Sequence, residues 1–424
     1  MPCCYFSAGH VAQCKPHDVC QFEMPEAQLI EIPTGSGRHY CAFHLPLADN
    51  QGRPSGKTKW RTGKALETFN HAVHTWIGLG RAPDQAIDLS GVVFPGEIEF
   101  TGEHSPDAGQ IYFSDTVFAG AARFSRFDFK GNADFRRARF LGPASFNQVM
   151  FRGVANFTSA AFSEAPVFQL VQFEENAHFD NTMMTAGAHF HRSRFYRRAL
   201  FDQYCRASDP TLNHVGNMTF HETRFEGPAD FSNRTFIENA HFNATHFAMP
   251  PKFHGSTLSR ETCFARACFA GRQGPAAADA FRTLRRAMET NHNWTEAGRF
   301  LAYELESLRR NPHATAGEQL LAGLRQWISN CGRSLSKSLA GLLATSILFT
   351  FLYALWSVPG NAAFPNALDF SVTQYVRPFA VWAAPTGSTD AISISWKLIA
   401  SLQSLMGFGF IVLFGLALQR RFRV

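Results

Sequence analysis

Phenylalanine recurs along the middle of the chain at alternating spacings of five and six residues. The series runs over 113–201 and, after one interruption, over 220–269, with Met184 and Leu258 in two of the places. Neither an α-helix nor an ordinary strand has this period. A short fixed period sustained over such a length predicts a solenoid, in which each repeat packs on its neighbours.

The position two residues before each phenylalanine is usually small, as with Ala133 before Phe135 and Thr223 before Phe225. Side chains at i and i−2 of a strand point to the same face, so one large and one small residue share an interior. We expect a closed coil of short strands in which every backbone group pairs with the coil above or below. The alternative is a disordered, phenylalanine-rich segment, but disordered chains typically contain few aromatic residues.

These units resemble a known family of repeats. The stretches ADFRRARF, ANFTSAAF and AHFNATHF look like pentapeptide repeats in their phenylalanine-centred, eleven-residue form, over 87–272. The resemblance implies a right-handed, quadrilateral β-helix, which is a β-solenoid with four units to a turn. At a strand spacing of ~4.8 Å, about 22 residues per coil and roughly eight coils give a rod of about 40 Å.

The first 50 residues form a cysteine-rich segment. Five of the chain's nine cysteines fall there: Cys3, Cys4, Cys14, Cys20 and Cys41. Cys41 and His44 are a Cys-x-x-His pair, and tetrahedral zinc commonly takes its four N and S ligands from two short-spaced pairs. The segment also resembles the zinc knuckles that open many pentapeptide-repeat membrane proteins, whose ending matches the sequence YCAFHLP at 40–46.

On this resemblance we expect a structural zinc ion in segment 1–50. The ligands that we assign are Cys4, Cys14, Cys41 and His44. Four further side chains compete for these places: Cys3, Cys20, His10 and His17. The alternative is a disulfide framework or free thiols. The first 20 residues contain no apolar run of the signal-peptide kind, which favours a reduced, cytosolic location and therefore metal over disulfides.

Helical segments are predicted on both sides of the coil. The segment before it, 58–80, has apolar residues at helical spacing: Leu66, Phe69, Val73, Trp76 and Ile77. We expect this helix to cover the open end of the solenoid, with a binding role as the alternative. After the coil, 276–330 is predicted as a helical connector that opens with a hairpin over 276–310. It resembles the connectors between pentapeptide coils and membrane segments of bacterial proteins.

The last part of the chain, 335–424, is predicted as a two-span membrane domain. Ser338–Val358 has 21 residues without a charge and Leu398–Gln419 has 22, and each run suffices to cross a hydrocarbon core of ~30 Å. A buried helix of a soluble protein is the alternative. Basic residues flank the spans: Arg325, Arg333 and Lys337 before the first, and Arg420, Arg421 and Arg423 after the second. The positive-inside rule then places both termini in the cytoplasm, and we expect a bacterial inner (plasma) membrane location.

The loop between the spans, 359–397, resembles the re-entrant segment of a tetrameric, potassium-channel-like pore. Its stretch 367–376 looks like a pore helix, and the second span carries the candidate hinge residues Gly407, Gly409 and Gly415. The candidate pore-lining residues are Thr373, Gln374, Tyr375 and Arg377. The loop departs from the potassium pattern, because 374–379 lacks the glycine pair of a carbonyl filter and contains a proline. A ring of Arg377 side chains predicts a pore that is not potassium-selective and that passes anions or blocks cations.

Charge and composition argue against two classes of function. Residues 88–272 carry 19 Asp and Glu against 18 Lys and Arg, so the coil is nearly neutral. A protein that mimics DNA needs a strongly negative rod, and we therefore expect no such mimicry and no nucleic-acid partner. No catalytic constellation stands out in the sequence, and we expect no enzyme activity.

Two hypotheses about function remain. The first is a homo-oligomeric, tetrameric channel-like pore that carries the coil as a cytoplasmic platform for gating or sensing. The second is a scaffold that is anchored in the lipid bilayer, does not conduct, and binds an unknown protein partner through its coil. In the second hypothesis the loop merely joins two anchoring helices, and Arg377 lies among lipid headgroups.

Overall fold

The computed structural model describes residues 30–31, 39–78, 85–107, 109–203, 213–310, 317, 335–355, 364–376 and 394–422. The predicted zinc ligands Cys4 and Cys14 and the predicted pore residue Arg377 lie outside these residues. The chain divides into two compact units. The first comprises 1–272 with 279–297, and the second comprises 273–278 with 298–424.

The first unit contains four stacks of short parallel strands, which we call sheets A to D. Sheet A consists of Ala86–Asp88, Gln110–Tyr112, Asn132–Asp134, Ala155–Asn156, Ala177–His178, Ala199–Leu200 and Ala229–Asp230. Sheet B consists of Val93–Phe94, Val117–Phe118, Arg139–Phe140 and Ala161–Phe162, and it is continued by the pair His214–Val215 and Thr235–Phe236.

Sheet C consists of Ile98–Thr101, Ala122–Ser125, Ala144–Asn147, Val167–Gln169, Ala188–His191, Met218–Thr219 and Ala240–His241. Sheet D consists of Asp128–Phe129, Met150–Phe151, Gln172–Phe173, Arg194–Phe195, Arg224–Phe225, His246–Phe247 and Cys268–Phe269. Ahead of the stacks, Ile30–Glu31 pairs antiparallel with His39–Tyr40.

Each strand of these sheets pairs with the equivalent strand one turn further along the chain. Ala133 lies opposite Ala155 in sheet A, and Phe140 lies opposite Phe162 in sheet B, a separation of 22 residues in both cases. Every turn therefore contributes one strand to each stack. The first unit is a β-solenoid of about eight turns, as the phenylalanine repeat predicts.

Phenylalanine rings fill the solenoid in four columns, one behind each sheet, and all the core positions predicted from the repeat are buried. Rings one turn apart stack nearly parallel: the centroids of Phe135 and Phe157 are 4.7 Å apart at an interplanar angle of 1°. Rings of neighbouring columns meet edge to face, as Phe135 and Phe146 do at 6.1 Å and 89°. Both geometries are favourable, and each such pair adds about 0.5–1.5 kcal/mol beyond the burial of its area.

Hydroxyl groups occupy several of the small positions and bond to the backbone. Thr182 Oγ1 donates to the carbonyl oxygen of Phe157 at 3.0 Å, and Ser193 Oγ donates to that of Phe168 at 3.0 Å. Both hydroxyl-bearing residues are fully buried. The small position thus accepts alanine, which only fills space, or Ser and Thr, which also satisfy a buried carbonyl of the preceding turn.

Residues in the left-handed backbone region recur at two corners of the turns, with φ between 52° and 59°. One series is Asp115, Arg137, Ser159, Asn181 and Asn233, and the other is Arg126, Gln148, Leu170, Arg192, Glu222, Ala244 and Arg266. Asn and Asp adopt this region readily, but for most other L-residues it costs roughly 1–2 kcal/mol. The stacked register therefore imposes the conformation even on Leu170, whose side chain does not favour it.

The repeat is interrupted after Phe201. Across this point paired residues are 30 apart rather than 22, as Ala188 and Met218 are, so one turn contains eight additional residues. The separation then returns to 22, since Met218 lies opposite Ala240. In sheets A, C and D the insertion therefore lengthens one turn without changing the register of the turns that follow, whereas in sheet B Met184 pairs with Val215 and Val215 with Phe236, one residue away from that register.

Arg234 takes a small position, two residues before Phe236, although it is a large and charged residue that is 2% exposed. Its guanidinium donates to three main-chain carbonyls: Phe201 from Nε at 2.7 Å, Thr182 from Nη1 at 2.9 Å, and Phe179 from Nη2 at 3.1 Å. Burial lowers the pKa of Arg234 to about 10, while Asp202 and Asp180 favour its charged form. Arg234, beside the insertion, thus donates hydrogen bonds to carbonyls on two successive turns, whereas a Ser or Thr hydroxyl at a small position donates to the carbonyl of one turn.

Helices cover the rings at both ends of the solenoid. At the first end, α1 (Gly63–Gly78) follows a 3₁₀ helix at Gly56–Arg61, and its Phe69 meets Phe94 edge to face at 5.9 Å. A second 3₁₀ turn lies at Gly102–His104. Burial of Phe69 together with Val73 and Ile77 makes this helix face part of the core.

At the other end, α2 (Gly274–Thr290) places Phe281 edge to face on Phe269 at 5.8 Å. Asn291, just after α2, donates through Nδ2 to the carbonyls of Leu258 and Ser259 at 3.0 and 2.9 Å. Helix α3 follows at Trp294–Arg309. The segment that the sequence predicts as a connector therefore also covers the last rings of the solenoid.

Within the described part of the second unit, three further helices follow: α4 (Leu335–Leu355), α5 (Phe364–Val376) and α6 (Ile394–Phe422). Ser338–Leu355 in α4 and Lys397–Gly415 in α6 are long and apolar enough to cross a membrane, in agreement with the two predicted spans. Their exposed side chains include many large apolar ones, such as Ile347 and Phe351 on α4 and Leu405 and Phe408 on α6.

Replacing Arg234 by alanine should destabilise the solenoid by about 2–4 kcal/mol, because three buried carbonyls lose their donor and a cavity replaces the side chain. Thermal unfolding of the detergent-solubilised chain, followed by circular dichroism, measures the loss. Arg224→Ala, at an exposed outward position of sheet D, is the matched control and should change little. Equal stability of the two variants would contradict the role assigned to Arg234.

Leu170→Asn should stabilise the solenoid by about 0.5–1 kcal/mol, because asparagine adopts the left-handed region at lower cost than leucine. Leu141→Asn is the control, since Leu141 is equally exposed but has no positive φ. Unfolding midpoints of the two variants and of the parent chain, measured in parallel, give the comparison. A gain at both positions would show that removing an exposed apolar side chain, rather than relieving the backbone, is the cause.

Candidate functional site

Helix α5 contacts both of the helices that are long enough to span, α4 and α6. Its face toward them carries Ser371 and Gln374, which are 0% and 2% exposed, whereas Leu368, Val372 and Val376 on the other face are exposed. With 13 residues, α5 is about 20 Å long. It is therefore too short to cross a hydrocarbon core of ~30 Å.

A chain of hydrogen bonds joins these three helices. The Tyr353 hydroxyl of α4 donates to Gln403 Oε1 of α6 at 2.8 Å. Gln403 Nε2 in turn donates to Ser371 of α5, to the carbonyl oxygen at 3.0 Å and to Oγ at 2.7 Å. All three side chains are fully buried. In apolar surroundings an unpaired polar group costs several kcal/mol, so Gln403, which bonds to both neighbours, holds α5 between them.

A glycine on α6 makes room for a side chain of α5. A Cβ atom at Gly407 would overlap the ring carbons of Tyr375, whose hydroxyl donates to Thr345 Oγ1 of α4 at 3.2 Å. At Gly409 and Gly415, by contrast, a Cβ would meet nothing within 4 Å. Helix α6 runs unbroken through all three glycines. Gly407 thus serves helix packing, and a hinge role for the three glycines stays a prediction.

The Cys-x-x-His turn brings its two predicted ligands together. Cys41 and His44 are buried, and Cys41 Sγ lies 3.2 Å from His44 Nδ1. Two such ligands of a tetrahedral zinc ion lie about 3.5 Å apart, given the usual Zn–S and Zn–N lengths. The other ring nitrogen, His44 Nε2, lies 3.0 Å from the carbonyl oxygen of Ser90, which is the usual arrangement around a zinc-bound histidine. The pair therefore fits half of a zinc site.

The described residues contain no larger group of metal-binding side chains. No cluster of three or more His, Cys, Asp or Glu suited to a metal ion occurs among them. Since Cys4 and Cys14 lie outside the described part of the chain, the complete ligand set stays a prediction.

Lys57 is buried beside this turn and has 0% exposure. Its Nζ donates to the carbonyl oxygens of Ala42 at 2.6 Å and Phe43 at 2.8 Å, and it lies 4.7 Å from the centre of the Phe69 ring. Burial lowers the pKa of Lys57 to about 7, while the negative charge of a Cys41 thiolate acts in the opposite direction.

The repeats of the first unit have a counterpart among known protein families. Residues 146–194 match the family model for pentapeptide repeats (9 copies). No curated protein matches the chain, and no solved structure matches it. The match confirms the pentapeptide repeats for this stretch, and the same strand register carries the architecture from Ala86 to Phe269.

Three of the four candidate pore residues lie in α5. Gln374 is buried, and its Nε2 donates within the helix to the carbonyl of Phe370 at 3.3 Å. Tyr375 packs against Gly407, as described above. Thr373 is half-buried, and its hydroxyl donates to the carbonyl of Asp369 at 2.7 Å. Within one chain, Gln374 and Tyr375 thus contribute to helix packing, and a pore role for Thr373, Gln374, Tyr375 and Arg377 stays a prediction.

The residues that join the three helices are absent from the sequence prediction. Ser401, Gln403 and Ser404 interrupt the apolar residues of the second span, and a polar residue inside a span signals a functional or structural contact. That signal indicates that α6 makes a polar contact with another helix. It does not identify Tyr353 or Ser371, which lie 50 and 32 residues away in sequence.

Gln403→Leu should weaken the packing of α5 against α4 and α6 by about 0.6–2 kcal/mol, because Tyr353 and Ser371 lose their shared partner. Resistance of the solubilised chain to unfolding by sodium dodecyl sulfate measures the change. Leu405→Ala, which truncates an exposed side chain on the same helix, is the control. A variant as resistant as the parent would mean that the hydrogen bonds do not hold α5 in place.

Proposed function

We propose that the chain is a bacterial membrane protein in which α4, α5 and α6 form one subunit of a homo-oligomeric, channel-like pore. The pentapeptide-repeat β-solenoid is its cytoplasmic platform. The observation that carries this proposal is α5, a helix too short to span that is bonded through Gln403 and Tyr353 to both helices that are long enough. Two spans with a short helix between them are the layout of a re-entrant pore segment.

The ends of α5 supply the physical argument for more than one copy. A helix that begins and ends at membrane depth leaves main-chain groups without partners, and these are tolerated only against protein or water. Several copies around an axis provide both, and the exposed face of Leu368, Val372 and Val376 is available to a neighbouring subunit. The resemblance to two-span channels makes a tetramer the proposed number.

The proposed pore is not potassium-selective and conducts anions. Potassium selectivity depends on rings of main-chain carbonyls, and 374–379 has no glycine pair to form them. Arg377 follows α5 directly, so a ring of these side chains places positive charge at the mouth of the pore. Rings of arginine or lysine favour anions.

The alternative is a non-conducting, membrane-anchored scaffold, and one observation favours it. Gln374 is buried within a single chain, and the Tyr375 hydroxyl bonds to another helix of that chain. The polar groups of Tyr353, Ser371 and Gln403 also bond to one another within it. A three-helix unit in which Tyr353, Ser371 and Gln403 bond to one another needs no partner subunit to satisfy these groups. In that case the coil, by binding another protein, carries the function.

The coil itself suits a platform rather than a nucleic-acid mimic. Charges on its surface pair between successive turns, as Arg137 does with Asp115 and Arg152 with Asp128. We propose that it is the right-handed, four-sided form of the family, that it has no enzymatic activity, and that both chain termini are cytoplasmic. A structural zinc ion bound by Cys4, Cys14, Cys41 and His44 fastens the first 50 residues.

Ion flux in liposomes that contain the purified chain tests the proposed function. We expect chloride flux well above that of empty liposomes, and potassium flux that does not exceed it. Arg377→Glu should reverse or abolish the anion preference, because it inverts the charge of the ring. Arg421→Ala, beyond the second span, is the control for a general effect of surface charge and should leave the flux unchanged.

Crosslinking in the same membranes separates the two proposals. A pore requires an oligomer, with a tetramer expected. A chain that stays monomeric and shows no flux, with Arg377→Glu equally silent, would refute the pore and support the scaffold.

A further inference from the structure

Two arginines and a histidine form a row along the outer face of sheet D. Arg194 lies directly opposite Arg224, and Arg224 lies opposite His246, on three successive turns. Strands about 4.8 Å apart spread these side chains over roughly 10 Å. Arg137 and Arg152, by contrast, each meet an aspartate of a neighbouring turn. Because like charges directly opposite one another destabilise a pair of strands, the two arginines of the row do not serve the stability of the solenoid.

The row lies in an open groove of about 660 Å³. The lining contains three arginines and one glutamate, which gives a formal charge of +2 with histidine neutral. The third arginine, Arg192, donates through Nε to Glu222 Oε2 at 2.7 Å. The ring of Tyr196 lies against the guanidinium of Arg194, with its centre 4.6 Å from Cζ, and its hydroxyl donates to Gln172 Oε1 at 3.3 Å. The groove thus combines positive charge with an aromatic side chain that supports one of the arginines.

Hydrogen-bonding capacity in this groove is left unused. Arg194 Nε and His246 Nδ1 are buried and have no hydrogen-bond partner among the described residues. Arg194 donates through Nη2 to Glu226 Oε1 at 2.7 Å, but this bond does not involve Nε. Arg224 is exposed and forms no ion pair within the described part of the chain. Since buried polar atoms nearly always have a partner, these groups indicate that an acceptor binds here.

We propose that this groove binds an acidic segment of a partner protein, with its carboxylates along Arg194, Arg224 and His246. Arginine binds carboxylates through charge-assisted and often bidentate hydrogen bonds. The open shape favours a protein segment over a small molecule, because small-molecule sites enclose about 70–90% of their ligand. In an extended segment alternate side chains point the same way about 7 Å apart, so two acidic residues with one residue between them reach adjacent members of the row.

The ion pairs already present in the groove leave room for such a segment. The side chains of Arg192 and Glu222 are 56% and 41% exposed, and exposed ion pairs add little to stability because water screens them. An incoming carboxylate therefore shares an arginine with its glutamate at small cost. The inference does not depend on ion conduction, and it gives the coil of either proposed function a partner of defined chemistry.

Binding of a labelled peptide to the detergent-solubilised full chain, measured by fluorescence anisotropy, tests the inference. The probe is a short peptide in which glutamate alternates with serine, and the reference peptide has glutamine at each glutamate. We expect the glutamate peptide alone to bind, with an affinity that falls as salt is added. Arg224→Gln should weaken this binding about tenfold, because a charge-assisted hydrogen bond is lost. Arg139→Gln is the matched control at the equivalent exposed position of sheet B, where the opposite residues Val117 and Ala161 are uncharged, and it should bind like the parent chain.

Thermal unfolding of the same variants separates a binding role of Arg224 from a structural one. Arg224→Gln removes the like charge opposite Arg194, so its unfolding midpoint should equal or slightly exceed that of the parent while its affinity falls. Absence of binding to the parent chain, equal binding of both peptides, or an equal effect of Arg139→Gln would refute the site. A peptide with phosphoserine at each glutamate that binds where the glutamate peptide does not would overturn the assignment to carboxylates. Ion flux is measured separately, so none of these results decides the proposed pore.

Discussion

The solenoid depends on an agreement between two distances. Parallel strands lie about 4.7–4.9 Å apart when their backbones are hydrogen-bonded, and stacked rings such as Phe129 and Phe151 lie 4.7 Å apart. One rise per turn therefore satisfies the backbone and the aromatic core together. Because both depend on register rather than on chain length, the eight-residue insertion is tolerated, and Phe190 still stacks on Phe220 at 5.0 Å beyond it.

The repeat predicted the first unit well because its signal is local. A phenylalanine and a small residue two places before it identify each inward position without knowledge of any distant partner. Arg234 could not be predicted in this way, since its carbonyl partners lie 33, 52 and 55 residues away. The left-handed corners also escaped prediction, because the stacked register imposes them on residues such as Leu170 and Arg192 that carry no turn signal of their own.

In the candidate sites, too, the features that local sequence encodes were predicted, and those that depend on distant residues were not. The contact between Cys41 and His44 follows from a three-residue spacing, whereas the buried position of Lys57 runs against the ordinary preference of lysine for the surface. In the second unit, length and absence of charge were enough to predict the two helices capable of spanning, whereas the helix at 367–376 was predicted from its resemblance to a pore helix. The bonds from Gln403 to Tyr353 and Ser371 are long-range pairings between side chains, and neither hydropathy nor helical periodicity encodes them.

The covers at the two ends of the solenoid have a consequence for its length. Phe69 of α1 rests on the ring of Phe94, and Phe281 of α2 rests on that of Phe269, so each cover meets the same kind of surface whatever number of turns lies between them. Duplication or loss of a whole 22-residue turn would then move the two covers apart or together by about 4.8 Å without altering either contact. The length of the solenoid can therefore change in steps of one turn, and evolution can alter it without altering the helices that cover its ends.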